Sequence, residues 1–184
     1  MIGTTREYEK PEMQRTLVLI KPSRYGPDRV QDKKLVKKLL EEELASCGVI
    51  VFKKKIRVSR ELAEKHYAIH RGKWPYGLLV EQLTDKYLIA TVLEGPETIS
   101  RVRNKLGATD PLKAAWWTIR AYGIYTLDTV NKSRQGNYGT DNVIHASDSM
   151  ESADFEIENF LKFLGIKLKP LGHYVHAEYL VKHY

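Results

Sequence analysis

The chain has 184 residues, enough for one well-buried core and mildly short for two. Hydrophobic content of 42% and charged content of 29% sit near globular averages, so no long segment has the composition of a disordered tract. Thirty Lys plus Arg against 23 Asp plus Glu leave a formal charge of +7, attractive to nucleotide, RNA or DNA alike; most basic residues lie scattered or in short helical runs, so charge alone supports an anionic ligand only weakly.

The first segment, MIGTTREYEKPEMQ over 1–14, has no apolar run to serve as a signal-peptide core and reads as a polar arm. RTLVLIK, 15–21, is short, aliphatic and closed by Pro22, the pattern of a buried strand. DKKLVKKLLEEELASC, 32–47, sets Leu35, Val36, Leu39, Leu40 and Leu44 on one helical stripe with Gly48 as its stop. VIVFKKKIRV, 49–58, is a second strand, and Ser59 suits the N-cap of RELAEKHYAIH. A short helix around 76–83 leads to the strand KYLIATVLE. Its apolar part, 87–93, falls far short of the roughly 20 residues that span a bilayer. TISRVRNKL, with Ile99, Val102 and Leu106 inward and Gly107 at its end, is the next helix. TIRAYGIYTL, 118–127, reads as a fourth strand. Asp148, with Glu151 three residues on, forms a capping box for a last helix carrying Ala153, Ile157, Phe160, Leu161 and Leu164.

Strand and helix alternate four times, which predicts an α+β fold: a ferredoxin-like, split βαβ sandwich with an antiparallel four-stranded sheet and added helices. A doubly wound parallel sheet is the rival. The expected organisation is an N-terminal arm over 1–14, a domain over 15–164 with an exposed polar loop insertion at 128–141, and a basic, aromatic C-terminal extension over 165–184. The single Cys47 excludes an internal disulfide and a cysteine-based zinc site, and fits a reducing, cytoplasmic setting.

Neither GxxxxGK[ST] nor GxGxxG occurs, so a nucleotide would have to be cradled by side chains. Lys21, Arg103 and Arg120, each at the end or start of an element, are the candidates; each also has an ordinary surface role available. NVIHASDS, 142–149, runs an apolar segment into His145 and surrounds it with small oxygen-bearing residues. At neutral pH an ordinary imidazole is mostly the neutral nucleophile, suited to covalent catalysis. Glu156 lies seven residues past Ser149, about two helical turns. With a bend at Ala146 it could orient the ring.

NVIHASDSMESADFEI resembles the active-site signature of nucleoside diphosphate kinases, N-x-x-H-[GA]-S-D-S followed by x-E-S-A-x-x-E-I. RTLVLIKP resembles that family's first strand, and VLEGPETISRVRNKLGATDP followed by TIR its nucleotide-binding segment. The resemblance implies a kinase that passes the terminal phosphate of a nucleoside triphosphate to a nucleoside diphosphate, by a ping-pong route through a phosphohistidine at His145. It assigns Lys21, Tyr67, Arg103, Thr109 and Arg120 to the phosphates or their support, Asn142 to the sugar, and Ser147 and Glu156 to orienting the imidazole, with Asp148 as a helix cap. It also implies Mg²⁺ held mainly by substrate phosphates, and a homo-oligomer, hexamer or tetramer.

The chain departs from the family pattern at the base. In ungapped register from His66-Tyr67 to Leu79-Val80, the base-stacking phenylalanine corresponds to Pro75; Trp74 or Tyr76 could supply the flat face instead, or pack in the core. The family's P-G-T-I-R-G-D reads Trp116-Trp117-Thr118-Ile119-Arg120-Ala121-Tyr122, with tandem tryptophans suited to a subunit contact or to the interior. His66 with His70, and His173 with His176, have no supporting acidic or cysteine pattern, so they read as ordinary helix or tail histidines and no protein metal ligands are expected. The alternative function is a non-enzymatic nucleotide-sensing or nucleic-acid-binding module on the same fold; nucleic acid is open but not expected, and no membrane partner is expected.

Overall fold

A computed structural model describes residues 11–23, 29–110, 113–123 and 142–173. The expected insertion at 128–141 lies outside the described residues, as do positions 1–10 and 174–184.

Four strands form one sheet in the order β2-β3-β1-β4, where β1 is Met13–Ile20, β2 Val49–Arg57, β3 Tyr87–Pro96 and β4 Ile144–Ala146. Every neighbouring pair is antiparallel, which rules out the doubly wound parallel rival. Strands β1 and β2 therefore run the same way with β3 between them, the split βαβ arrangement. The first crossover is helix α1, Lys33–Lys37, which passes into a π-helical stretch, Lys38–Glu43, and a 3₁₀ turn, Ala45–Cys47. The second is helix α4, Thr98–Leu106, between β3 and β4.

The added helices are α2 (Arg60–His66), α3 (Tyr76–Leu83) and α5 (Met150–Leu164). Their purpose follows from β1, which is apolar at successive positions. Because side chains alternate across a strand, Leu17 and Leu19 join the core formed with α2, α3 and α5, while Val18 and Ile20 join the core formed with the α1 region and α4. Both faces of the sheet are covered, so both sets must be hydrophobic. Residues Leu17 to Ile20 are fully buried.

The expected strand at 118–127 is corrected. Ile119–Gly123 is a 3₁₀ turn and 124–127 lie outside the described residues; the fourth strand is only three residues long and belongs to the NVIHASDS segment. Arg120 explains the difference. Its side chain is drawn inward, with Nε donating to the Ile144 carbonyl at 3.2 Å and Nη1 to the Gly107 carbonyl at 2.9 Å. A turn can deliver that arginine to two backbone segments at once, which a continued strand would not.

The start of the C-terminal extension folds back on the sheet. Arg15 and Glu94, register partners on β1 and β3, form an ion pair in which Glu94 is fully buried. Arg15 also donates to the carbonyls of Lys169 and Pro170, and Gly172 N–H donates to Glu94 at 3.0 Å.

Candidate active site

Strand β4 carries His145 between Ile144 and Ala146, opposite Leu19 of β1. The two neighbours point into the α4 side of the sheet, so alternation sends the imidazole to the other face, beneath α5 and beside α2. The chain then turns. Ser149 is the N-cap of α5 and accepts from Ser152 N–H, while Ser152 Oγ donates to Asp148. The cap expected at Asp148 is thus corrected to Ser149: in S-D-S-M-E-S both residues have an oxygen at suitable spacing, and the helix begins one residue later. Asp148 keeps a supporting role, its carboxyl held below the ordinary range chiefly by the Ser152 hydroxyl.

Two turns into α5, Glu156 returns to the imidazole. His145 Nε2 lies 3.0 Å from each carboxylate oxygen, and Ser147 Oγ donates to Glu156 at 2.7 Å. A carboxylate only accepts, so Nε2 carries the hydrogen and Nδ1 keeps its lone pair. The His145 side chain is 25% exposed and that of Glu156 12%, which leaves the ring accessible while its anchor is shielded.

The imidazole opens on a cleft of about 390 Å³. Lys21, Tyr67, Arg103, Thr109, Arg120 and Asn142 line it with His145 and Glu156; Ser147 lies behind them, fully buried. Lys21 follows directly from β1, and its N–H donates to the Val143 carbonyl at 3.0 Å. Arg103 comes from the last turn of α4. Burial, and then the neighbouring charge of Arg103, pushes the Arg120 guanidinium down to about 10, so it is still a cation at neutral pH. Gly107, which accepts from Arg120, has φ +79° and packs so close to Thr118 that a Cβ would collide with it. Asn142 Nδ2 donates to the Thr109 carbonyl at 3.1 Å, tying two cleft residues together. Tyr67 is buried, and burial with the Glu156 charge raises its phenol well above the ordinary value.

The base-slot candidates separate. Pro75 lines the cleft with Ile69 and Leu79; Trp74 is 69% exposed and outside the lining, and Tyr76 packs against the core. Trp116 and Trp117 are not interior residues either: both are exposed, their rings meeting edge-on at 5.5 Å.

Sequence reasoning missed His66 as part of this site. It ends α2, is buried, and meets the His145 ring edge-on at 4.8 Å. Burial, then the charges of His145, Lys21 and His70, hold its pKa well below the ordinary value. The sequence placed it on a helix as an ordinary histidine, and no local pattern could set it against a strand almost eighty positions later.

A split βαβ sandwich whose cleft joins three cations to a carboxylate-held imidazole defines a protein that handles nucleotide-sized anions beside a histidine. The family model described as nucleoside diphosphate kinase matches residues 14–164. A nucleoside diphosphate kinase of Methanocaldococcus jannaschii is 40% identical over 149 residues, covering 81% of this chain and 94% of that one; one from Pelotomaculum thermopropionicum is 42% identical over 151 residues, 80% and 87% of the two chains. Among solved structures, a transition-state mimic of the Borrelia burgdorferi nucleoside-diphosphate kinase with bound vanadate and ADP superposes with a TM-score of 0.69 at 27% identity, covering 87% of this chain and 94% of that one. The Aquifex aeolicus enzyme gives 0.65 at 32% identity, covering 85% and 100%.

The chain belongs to the nucleoside diphosphate kinase family. It is a phosphotransferase of nucleotide metabolism, and this disfavours the non-enzymatic alternative. Among the described residues no helix is long and apolar enough to cross a membrane.

Proposed function

We propose that His145 is the phosphate carrier and that the chain works by double displacement. The Nδ1 lone pair attacks the terminal phosphorus of the donor nucleotide in line; the N–P bond forms as the bond to the bridging oxygen breaks, and the nucleoside diphosphate leaves. A terminal oxygen of an acceptor diphosphate then attacks the phosphohistidine and regenerates the imidazole. The carrying observation is the Nε2 contact with Glu156, which keeps the hydrogen on the far nitrogen and steadies the positive charge the ring acquires. Lys21, Arg103 and Arg120 offset charge on the transferred oxygens, where this reaction needs most help. Tyr67 and Thr109 support the phosphates, and Asn142 contacts the sugar. The vanadate and ADP held by the Borrelia relative are consistent with an in-line transfer of this kind.

Mg²⁺ fits as a passenger of the nucleotide. The carboxylates lining the cleft are Glu156, engaged by His145 and Ser147, and Asp148, engaged by Ser152. An oxygen shell for a hard cation would come chiefly from the substrate phosphates and water. When bound, the ion neutralises phosphate charge. At the base end, Ile69, Pro75 and Leu79 supply an apolar surface in place of the phenylalanine stack. Residues 15–164 form the catalytic domain, a reading supported by the family match over 14–164. Exposed Trp116 and Trp117 support a homo-oligomer, and the lone buried Cys47 a cytoplasmic setting.

Labelled ATP should give an acid-labile, base-stable phosphoprotein, and His145→Ala should abolish both the label and exchange between ATP and a nucleoside diphosphate. Transfer that persists in that variant would sink the mechanism. Sedimentation of the intact chain tests the oligomer; a monomer at micromolar concentration overturns it.

A further inference from the structure

The cleft holds a donor set that phosphate transfer uses only in part, for it gives no role to His66. One nitrogen from each of His66 and His145 and one Glu156 oxygen lie within 4.8 Å of one another. His66 is 5% exposed, and neither ring nitrogen has a hydrogen-bond partner among the described residues. A core histidine placed only for packing would be expected to satisfy at least one nitrogen. Here the ring lines the cleft, edge-on to the nucleophile.

Two imidazoles and a carboxylate, with a further position open to solvent, form a donor set suited to tetrahedral zinc. Bonds of about 2.0–2.2 Å separate tetrahedral ligand atoms by roughly 3.3 Å. His145 Nε2 and Glu156 are already at 3.0 Å, so closure asks chiefly for His66 to swing inward by at most about 1.5 Å. Mg²⁺ would not compete for these nitrogens, because it prefers oxygen and octahedral geometry.

We propose that His66, His145 and Glu156 form an inhibitory site for a borderline-soft divalent cation of the zinc type. Occupation requires the other tautomer of His145, the ring hydrogen moving by way of solvent from Nε2 to Nδ1 so that Nε2 binds the cation as a neutral imidazole; this breaks the hydrogen bond through which Glu156 positions the ring and takes away the Nδ1 lone pair. The inhibitory consequence rests on His145 being the phosphate carrier; cation binding does not.

The nucleotide-free, full-length protein is titrated with Co²⁺, followed by the intense visible bands of tetrahedral Co²⁺, and the cation is then displaced with Zn²⁺. One tetrahedral cation per chain is expected, weakened about tenfold or more in His66→Gln. No saturable tetrahedral site in the wild type, or equal binding by His66→Gln, overturns the assignment. Imidazole ¹⁵N spectra of the wild type test it without any substitution. Zn²⁺ must shift the ring signals of both His66 and His145, and shifts confined to His70 or His173 overturn it. In the exchange assay at fixed Mg²⁺, Zn²⁺ should inhibit the wild type at concentrations about tenfold below those needed for His66→Gln. If the cation binds yet exchange is unaffected, the inhibitory proposal fails while the binding site stands.

Discussion

Ser147 joins Glu156 to the sheet. Its hydroxyl donates to the carboxylate at 2.7 Å, and the same oxygen accepts the Leu17 N–H at 3.2 Å. The residue that steadies the imidazole is thus itself fixed to the central, fully buried part of β1. Ser147→Ala leaves a buried N–H without its acceptor and Glu156 with one donor fewer, a loss of about 1–3 kcal/mol by the usual cost of an unsatisfied partner. Stability to urea should fall by that order. In exchange kinetics kcat should drop roughly tenfold to a hundredfold with KM little changed, because Ser147 does not reach the cleft. A change confined to KM would contradict this positioning role.

Arg120 and Gly107 form a second unit. Gly107→Ala has to strain a left-handed backbone and displace Thr118, about 1–3 kcal/mol or more, and it disturbs the carbonyl that receives Arg120. Arg120→Lys keeps a charge but cannot reproduce donation to both Ile144 and Gly107. Both variants should raise the nucleotide KM several-fold or more, and Arg120→Lys should also lower the urea midpoint. In the wild type the guanidinium is a cation below its value of about 10, so nucleotide affinity should weaken as pH rises through that region. Nucleotide titrations at pH 8 and pH 10.5 check the sign.

What could be read from the sequence was set by range. β1 was legible because burial on both faces makes it continuously apolar, and α4 because its stripe ends at Gly107. The His145 signature was legible because the turn and Glu156 lie within one short segment, although two neighbouring oxygen-bearing residues left the cap one position off. β4 was missed since three residues are too few to show a period, and the apolar residues of 118–127 imitated a strand better than the true one did. Nothing near Arg120 announces that its partners are the carbonyls of Gly107 and Ile144. Register alone singled out Pro75, which lines the cleft, whereas Leu79 and Ile69 meet it only through the way the segments around α2 and α3 pack, which no local pattern shows.

His66 should give the protein an acid-sensitive stability. Burial lowers its folded pKa below the ordinary value of 6.5, so between those values the unfolded chain binds more protons than the native one. Stability therefore rises with pH across that window and falls as the solution is acidified below about 6.5, by at most about 1.4 kcal/mol per pH unit for one group. His66→Phe keeps an aromatic ring against Phe160 and Tyr67 and removes the titration. Urea midpoints at pH 7, 6 and 5 should converge or cross in favour of the variant on the acid side. A constant difference between the two proteins over that range would show that His66 does not carry the effect.

Arg15 and Glu94 form the pair that fastens the C-terminal extension to the sheet. Glu94 is fully buried and accepts from both Arg15 and Gly172, so its charge is compensated only while those donors are present. Arg15→Met removes the main one and should cost about 3–5 kcal/mol, the usual result of stranding one partner of a buried pair. Adding Glu94→Leu removes the stranded charge and should recover much of that loss, since a buried ion pair and an apolar pair of similar volume are often near equal. The arginine also holds Lys169 and Pro170 through their carbonyls, so both variants should expose the segment beyond Leu168 to proteolysis faster than the wild type. Urea unfolding of the four proteins of the double-mutant cycle separates the two effects. A double variant no more stable than Arg15→Met would mean that the strap, and not the buried charge, sets the cost.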